Sequence, residues 1–560
     1  MAEEEGTPKK ALGVRVHEAR TPARISGAFS AAKSTWVEIP DPDGPPAAWV
    51  YSDERSYADG ETVCLCISAT VAKVDVRIYR DGANPVTVMQ WKALNVAFQS
   101  IPPRVFEVGC SWSETVAFPL SDAFLPGAYI VEITRAGVSA AEQIPLAHHI
   151  FFVRARQADP SAIVLIATTS TWTAYNDWGG SSHYRGVNDE YPQGASPRLA
   201  IRRPWARGQV FIPPGVPRFT AVDRPTRPEP AKYPSLDWAS ANGYTRYYAA
   251  AGWPSYELPF LKWAESAGYT VHVIAQDDLH RHPDCLDGYQ CAVIVGHDEY
   301  WSRPMRETVH RFVEGGGHVA RFAGNYMWQI RFEDDQTQVC YKFTARDLDP
   351  IGAGQKELMT GAWEDVQVGL PGARTFGVNA MRGQYAGFGG MAPRAGRGFQ
   401  VFRPDHWAFE GTGLGYSDTF GDEAGIFGFE VDGLEYTFRD GLPEPTGKDG
   451  APEGLEIIAM NWATQIEKGL PEHAYSYFMA DGDARFAAAT LDGADTKDAV
   501  ARRGRGCGVM VSFEMGAGTV VCAGSCEWVR GLALEDFYTV RVTQNILDRF
   551  LGSSEIKAEG

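Results

Sequence analysis

The sequence predicts an α/β fold with an added β-sandwich, and three observations lead there. Residues 289–325 read YQCAVIVGHDEYWSRPMRETVHRFVEGGGHVARFAGN: an apolar run, a polar turn, a helical pattern and a second apolar run. Two buried strands joined by a helix run parallel and deliver both post-strand turns to one edge of a sheet. Residues 49–156 instead show short period-two runs, Gly and Asp turns and no helical pattern, which predicts an immunoglobulin-like β-sandwich. Buried-strand texture then returns late in the chain, at residues 455–461 and 518–523.

Taken in order, residues 1–48 are rich in Ala, Pro, Asp and Gly and read as an N-terminal arm. In the sandwich, residues 71–79 and 127–134 alternate, and residues 150–153 form a further apolar run. The α/β domain spans 157–551, with its first strand at residues 163–167. Residues 168–180, TTSTWTAYNDWGG, follow that strand and suit a site loop rather than a core segment. Residues 192–254 are rich in Pro, Arg and aromatics and predict a long irregular excursion. Residues 257–267 read as a helix, 269–275 as a strand and 277–280 as a loop. In the central stretch Met305, Val309, Phe312 and Val313 share a helix face, Ser302 caps its start and Gly315 to Gly317 end it. Residues 333–449 lack strong helical patterns and read as an irregular or β insertion packed near the site. A helix is expected over 537–551 and a polar tail over 552–560.

Composition narrows the function. Hydrophobic content of 44% in 560 residues is enough for a large core, and length alone suggests roughly three or four domains. The net charge is −18 with no run of five basic residues, which argues against nucleic acid or an acidic membrane as partner. Nine cysteines form no CxxC pair, so a reduced, cytoplasmic chain without a zinc framework is expected. The N-terminus lacks an apolar signal core, and no apolar run reaches the ~18 residues of a membrane span.

The sharpest polar cluster is His297-Asp298-Glu299. His297 and Glu299 are two residues apart and point the same way if extended geometry persists. Imidazole and carboxylate can bind a metal, or serve as base and orienter. Asp298 is expected to be solvated or to cap the turn. Glu299 and Asn325, each after a strand, would face one crevice. Tyr175 and Tyr184 flank Gly179-Gly180; aromatic packing accounts for both, but a phenolate also suits a trivalent, oxygen-seeking ion. There is no GxSxG elbow, HExxH or P-loop. Residues 387–390, GFGG, follow no clean strand and are rejected as a dinucleotide fingerprint. Cys526 follows a strand but has no His nearby in sequence, so a nucleophilic role is not favoured.

The motifs Thr173-Ala-Tyr-Asn-Asp-Trp-Gly-Gly180, Gly296-His-Asp-Glu-Tyr-Trp-Ser302 and Phe322-Ala-Gly-Asn325 resemble the large subunit of N,N-dimethylformamidase. Gly428-Phe-Glu-Val-Asp432 and Gly524-Ser-Cys-Glu-Trp528 resemble it too. The resemblance covers roughly residues 163–551. It implies a core similar to class I glutamine amidotransferases without their cysteine nucleophile. It also implies hydrolysis of a small amide, with a mononuclear ferric ion held by two tyrosines and a glutamate. Matched motif by motif, Tyr175 and Glu299 fall on metal ligands, and His297, Asn325 and, more weakly, Glu430 fall on catalytic positions. One position departs. The family's second tyrosine closes an Arg-Pro-Tyr or Arg-Pro-x-Tyr motif, and here Arg202-Arg203-Pro204 is followed by Trp205, whose indole cannot act as a phenolate. Tyr184, Tyr191 and Tyr233 are the candidate substitutes, and spacing selects none of them. The rival expectation is a metal-free or non-catalytic member that binds a small ligand or serves as a structural subunit. The amide substrate, homo-oligomerisation and a small-subunit partner are left open.

Overall fold

The computed structural model describes residues 14–15, 37–139, 144–218, 234–386, 396–464 and 482–552. Its centre is a nine-stranded mixed sheet. Five parallel strands make one half, in the spatial order Val271–Ala275, Ile163–Ala167, Cys291–His297, His318–Gly324, Gly518–Ala523. In chain order this is 2-1-3-4-5, the arrangement of doubly wound α/β sheets. Antiparallel strands continue the sheet through Arg505–Met515, Glu456–Thr464, Phe399–Val401 and Thr419–Phe420. All residues of Ile163–Ala167 and Cys291–His297 are buried, as continuous apolar runs in a covered parallel sheet should be.

The parallel register places His297 opposite Gly324, so both strands end at one edge. The helix Arg303–Glu314 connects them and forms as its spacing predicts. Met305, Val309, Phe312 and Val313 are buried, and the Ser302 side chain accepts from the Met305 amide at 3.3 Å. The polar residue Arg306 is buried with that face because its guanidinium reaches the carbonyls of Leu370 and Pro371 and the Thr375 hydroxyl.

Between Ala48 and Val153 the strands form a five-stranded and a three-stranded sheet. The order in the larger sheet is Ser56–Tyr57, Pro145–Val153, Gly127–Arg135, Lys73–Arg80, Val86–Asn95; the smaller pairs Ala48–Ser52, Thr62–Ala69 and Val116–Pro119. Val50, Leu65, Val76, Val131 and Phe151 fill the space between them. The opposite face of the larger sheet is apolar as well. Tyr79, Ile130, Ile150 and Phe152 join the core of the central sheet, where Phe152 meets Trp172 and Trp253. Among the described residues no helix is long and apolar enough to cross a membrane.

Two local expectations change, and a third is narrowed to its β alternative. Thr169–Tyr175, expected in a loop, is a two-turn helix with every residue buried. Its polar side chains find buried partners: Thr169 donates to Asp277 at 2.9 Å, Thr173 to the Thr169 carbonyl at 2.8 Å, and the Trp172 indole to Glu257 at 3.2 Å. The stretch is therefore core and site wall together. Asp278–Arg281, expected in a loop, makes a single helical turn. Within residues 333–449, Phe399–Val401 and Thr419–Phe420 extend the central sheet, and Asn379–Ala386 pairs with Phe429–Gly433 beside it.

Asp298 is neither solvated nor a cap. It is fully buried and bonded to Arg321, whose Nε donates to its carboxylate at 2.8 Å. Arg321 Nη1 donates to Asp432 at 2.9 Å, and Asp432 accepts from the Tyr326 backbone amide at 3.0 Å. The three side chains are completely enclosed. Replacing Arg321 by Met leaves two buried carboxylates without their counter-charge. We expect Arg321→Met to destabilise the protein by about 3–5 kcal/mol in chemical denaturation, the cost of breaking a buried ion pair from one side.

Candidate active site

Four parallel strands end at the same edge of the sheet, and each contributes to one cluster. Beyond Ala167 comes the helix bearing Tyr175; His297 and Glu299 end and follow the next strand. Asn325 follows Gly324, and Cys526 follows Ala523 after a short turn. Glu430 arrives from outside the parallel strands, on Phe429–Gly433. That strand is tied to the edge by Cys526 N–H to the Glu430 carbonyl at 3.1 Å and Asp432 N–H to the Gly524 carbonyl at 3.0 Å.

Glu299 is the hub. Its carboxylate accepts from Tyr175 at 3.0 Å, from Tyr184 at 2.6 and 2.7 Å and from the Trp328 indole at 2.7 Å. The Tyr175 and Tyr184 rings stack at 4.3 Å. Tyr300 donates in turn to the Tyr184 hydroxyl at 2.8 Å. The Lys342 ammonium sits 3.2 Å from the centroid of the Tyr184 ring, a close cation–π contact. Burial, and then the neighbouring Glu299 charge, push the Tyr175 and Tyr184 phenols well above their ordinary pKa. Burial alone would raise Glu299, but the His297 hydrogen bond and the Lys342 charge outweigh it and hold the carboxyl low. Lys342 itself is brought down to about 8 by burial, against the pull of Glu299.

Beside the hub lies a second group of titratable side chains. His297 Nε2 is 2.9 Å from Glu430 and 3.4 Å from Glu299, and its Nδ1 donates to the Ala250 carbonyl at 2.8 Å. Burial disfavours the charged imidazole. Glu430 and Glu299 reverse that and raise His297 to about 10. Glu430 moves the other way from Glu299: burial raises it, although His297 opposes. The Asn325 amide donates to Glu430 at 2.7 Å and lies 3.1 Å from His297 Nε2. The two carboxyls are thus shifted in opposite directions, Glu299 down and Glu430 up.

The backbone is bent to make this fit. Asn325, Phe429 and Lys342 all have positive φ, at 65°, 59° and 51°. That region is open to Asn at modest cost and is unfavourable for Phe and Lys. Such residues persist where surrounding contacts over-determine them, as at binding sites.

A family model described as N,N-dimethylformamidase beta subunit-like, C-terminal, matches residues 72–543. The chain belongs to that family. A search of curated proteins finds no match. The family's name is that of an amide hydrolase. The matched span takes in strands of the sandwich as well as the whole central sheet.

For this N,N-dimethylformamidase-like chain, the structure brings Tyr175, His297, Glu299, Asn325 and Glu430 together. It places Trp205 elsewhere: the indole packs edge-on against Trp172 at 5.9 Å and lies under the Arg55 guanidinium. The second phenol on Glu299 belongs to Tyr184. Tyr191 lies against Tyr341 instead, and Tyr233 falls outside the described residues. Sequence reasoning did not single out Tyr300, Trp328 or Lys342. Tyr300 and Trp328 stand within three residues of Glu299 and Asn325, so proximity was a usable signal; Lys342 carried none.

Gly324 is required by close approach. A Cβ there would collide with the Glu430 carbonyl and come within 2.8 Å of the Cys526 amide nitrogen. Gly324→Ala is expected to cost roughly 1–3 kcal/mol as overpacking, measured as a lowered midpoint of denaturation.

Proposed function

We propose that this chain is an iron-dependent hydrolase of a small, non-peptide amide C–N bond. The observation that carries the reading is the convergence of two phenols on the Glu299 carboxylate, side by side with the His297–Glu430–Asn325 group. The donor set fits a ferric ion: three hard oxygen groups, two of them phenols that donate hydrogen bonds to the carboxylate that would share the ion. Tyr175, Tyr184 and Glu299 would hold it. Bound there, it supplies Lewis acidity to polarise an amide carbonyl.

The remaining steps belong to the protein. Glu430 takes a proton from the attacking water, and His297, protonated at Nε2, gives one to the leaving amine nitrogen. Asn325 orients Glu430 through its 2.7 Å hydrogen bond and offers a donor to the developing oxyanion. Lys342 offsets the charge of Glu299 from behind the Tyr184 ring. The rings of Tyr175, Tyr184, Tyr247 and Phe429 close around the imidazole and phenols and keep water few.

Several finer readings accompany this one. The 2-1-3-4-5 order of the parallel strands supports a core related to class I glutamine amidotransferases. The family's description as a beta subunit supports a further subunit as partner, alongside the chance of self-association. All nine cysteines are free thiols, which supports a reducing, cytoplasmic setting.

The test is metal analysis with variants. About one iron per chain and a visible phenolate charge-transfer band are expected. Tyr184→Phe should lower iron content and weaken or shift the band, while Trp205→Phe should leave both in place. A colourless protein that takes up no iron would instead favour the metal-free, ligand-binding or structural reading. His297→Ala should keep iron and lose roughly 10²–10⁴ in turnover of a small amide, as removal of a general acid–base group does.

A further inference from the structure

Cys526 is a reactive group at the site that the reading above does not use. It is completely buried, yet it is not set among apolar side chains alone. His297, Glu430 and Cys526 each offer one ligand atom, and these atoms lie within 4.8 Å of one another. Nitrogen, oxygen and sulfur from three such residues, with a water as fourth, is the donor set of a tetrahedral zinc site. Outer contacts also suit a metal. His297 Nδ1 donates to the Ala250 carbonyl, which leaves Nε2 as the coordinating nitrogen, and Asn325 fixes Glu430. Donors around zinc lie roughly 3.3–3.6 Å apart for bond lengths of about 2.0–2.3 Å, so the cluster needs to contract by about an ångström. Glu430 is the partly exposed member and marks the side of entry.

We propose that His297, Glu430 and Cys526 form a second metal site, separate from the oxygen-rich one at Glu299, for a thiophilic divalent cation of the zinc class. Binding removes the thiol S–H proton and the Nε2–H proton of the imidazolium, both released to solvent as the S–metal and N–metal bonds form. Where the proton-transfer roles proposed above hold, occupation blocks them, and zinc is an inhibitor rather than a cofactor.

The test uses the full chain as isolated, titrated with cobalt(II) as a spectroscopic substitute for zinc. One cobalt per chain with a near-ultraviolet thiolate charge-transfer band is expected, and the band should vanish in Cys526→Ser. Cobalt affinity should fall in Cys526→Ser and in Glu430→Gln by at least the roughly 10–100-fold that loss of a supporting contact costs. Zinc should inhibit amide turnover in the wild type and do so much more weakly in Cys526→Ser. Absence of a thiolate band, or a band that survives in Cys526→Ser with unchanged affinity, overturns the site. Should no amide be turned over, the hydrolase reading falls while the cobalt spectrum still decides this one. A cobalt band with no zinc inhibition of an active enzyme retains the site and overturns the inhibition.

Discussion

Arg321 holds the edge of the sheet together. It sits inside a strand, fully enclosed, and grips two carboxylates that belong to different segments. One is Asp298, flanked by His297 and Glu299. The other is Asp432, two residues beyond Glu430, which also caps the Tyr326 amide just after Asn325. A single guanidinium therefore fixes the three chain segments that carry His297 and Glu299, Asn325, and Glu430. Its planar fork can bond both partners at once, which a lysine cannot do. Burying such a triad is not an efficient way to gain stability. Its value lies in the positions it dictates for the neighbouring side chains.

The same enclosure sets the electrostatics. Two carboxylates, one imidazole and one ammonium share a space walled by aromatic rings, so each charge is felt strongly by the others. Their environments separate the two acids. Glu299 gathers donors from Tyr175, Tyr184 and Trp328, whereas Glu430 has Asn325 and His297 and an opening toward solvent. Pairs of titratable groups pushed apart in this way are the usual basis for dividing acid and base roles.

Much of this was legible in the sequence because it is local. The apolar runs around His297 and Asn325 specify parallel strands. Ser302 and the spacing of Met305, Val309, Phe312 and Val313 specify the helix between them, and a separation of two sends His297 and Glu299 to one side. What was hidden depends on distant partners. Asp298 reads as a surface residue until Arg321, twenty-three positions later, and Asp432 are placed against it. Thr169–Tyr175 reads as part of a loop because residues 168–180 are dense in Trp, Tyr, Asn and Gly just after a buried strand, whereas Asp277 and Glu257 satisfy the segment from inside. Tyr184 could not be chosen over other tyrosines, since its selection rests on a turn that folds it over Tyr175. Lys342 enters through a left-handed residue for which the local sequence gives no sign.

The sandwich has one further implication. Its larger sheet is covered on both faces, by the smaller sheet on one and by the Trp172 and Trp253 wall on the other. Tyr79, Ile130, Ile150 and Phe152 are thus shared property. Recombination that exchanged the N-terminal unit for another of similar shape would have to match this strip ring for ring, or expose it. A join placed just after Val153 would therefore cut through a shared core. Change in the sandwich strand behind the Tyr175 helix would be felt through Phe152 and Trp172 at the phenol that helix carries.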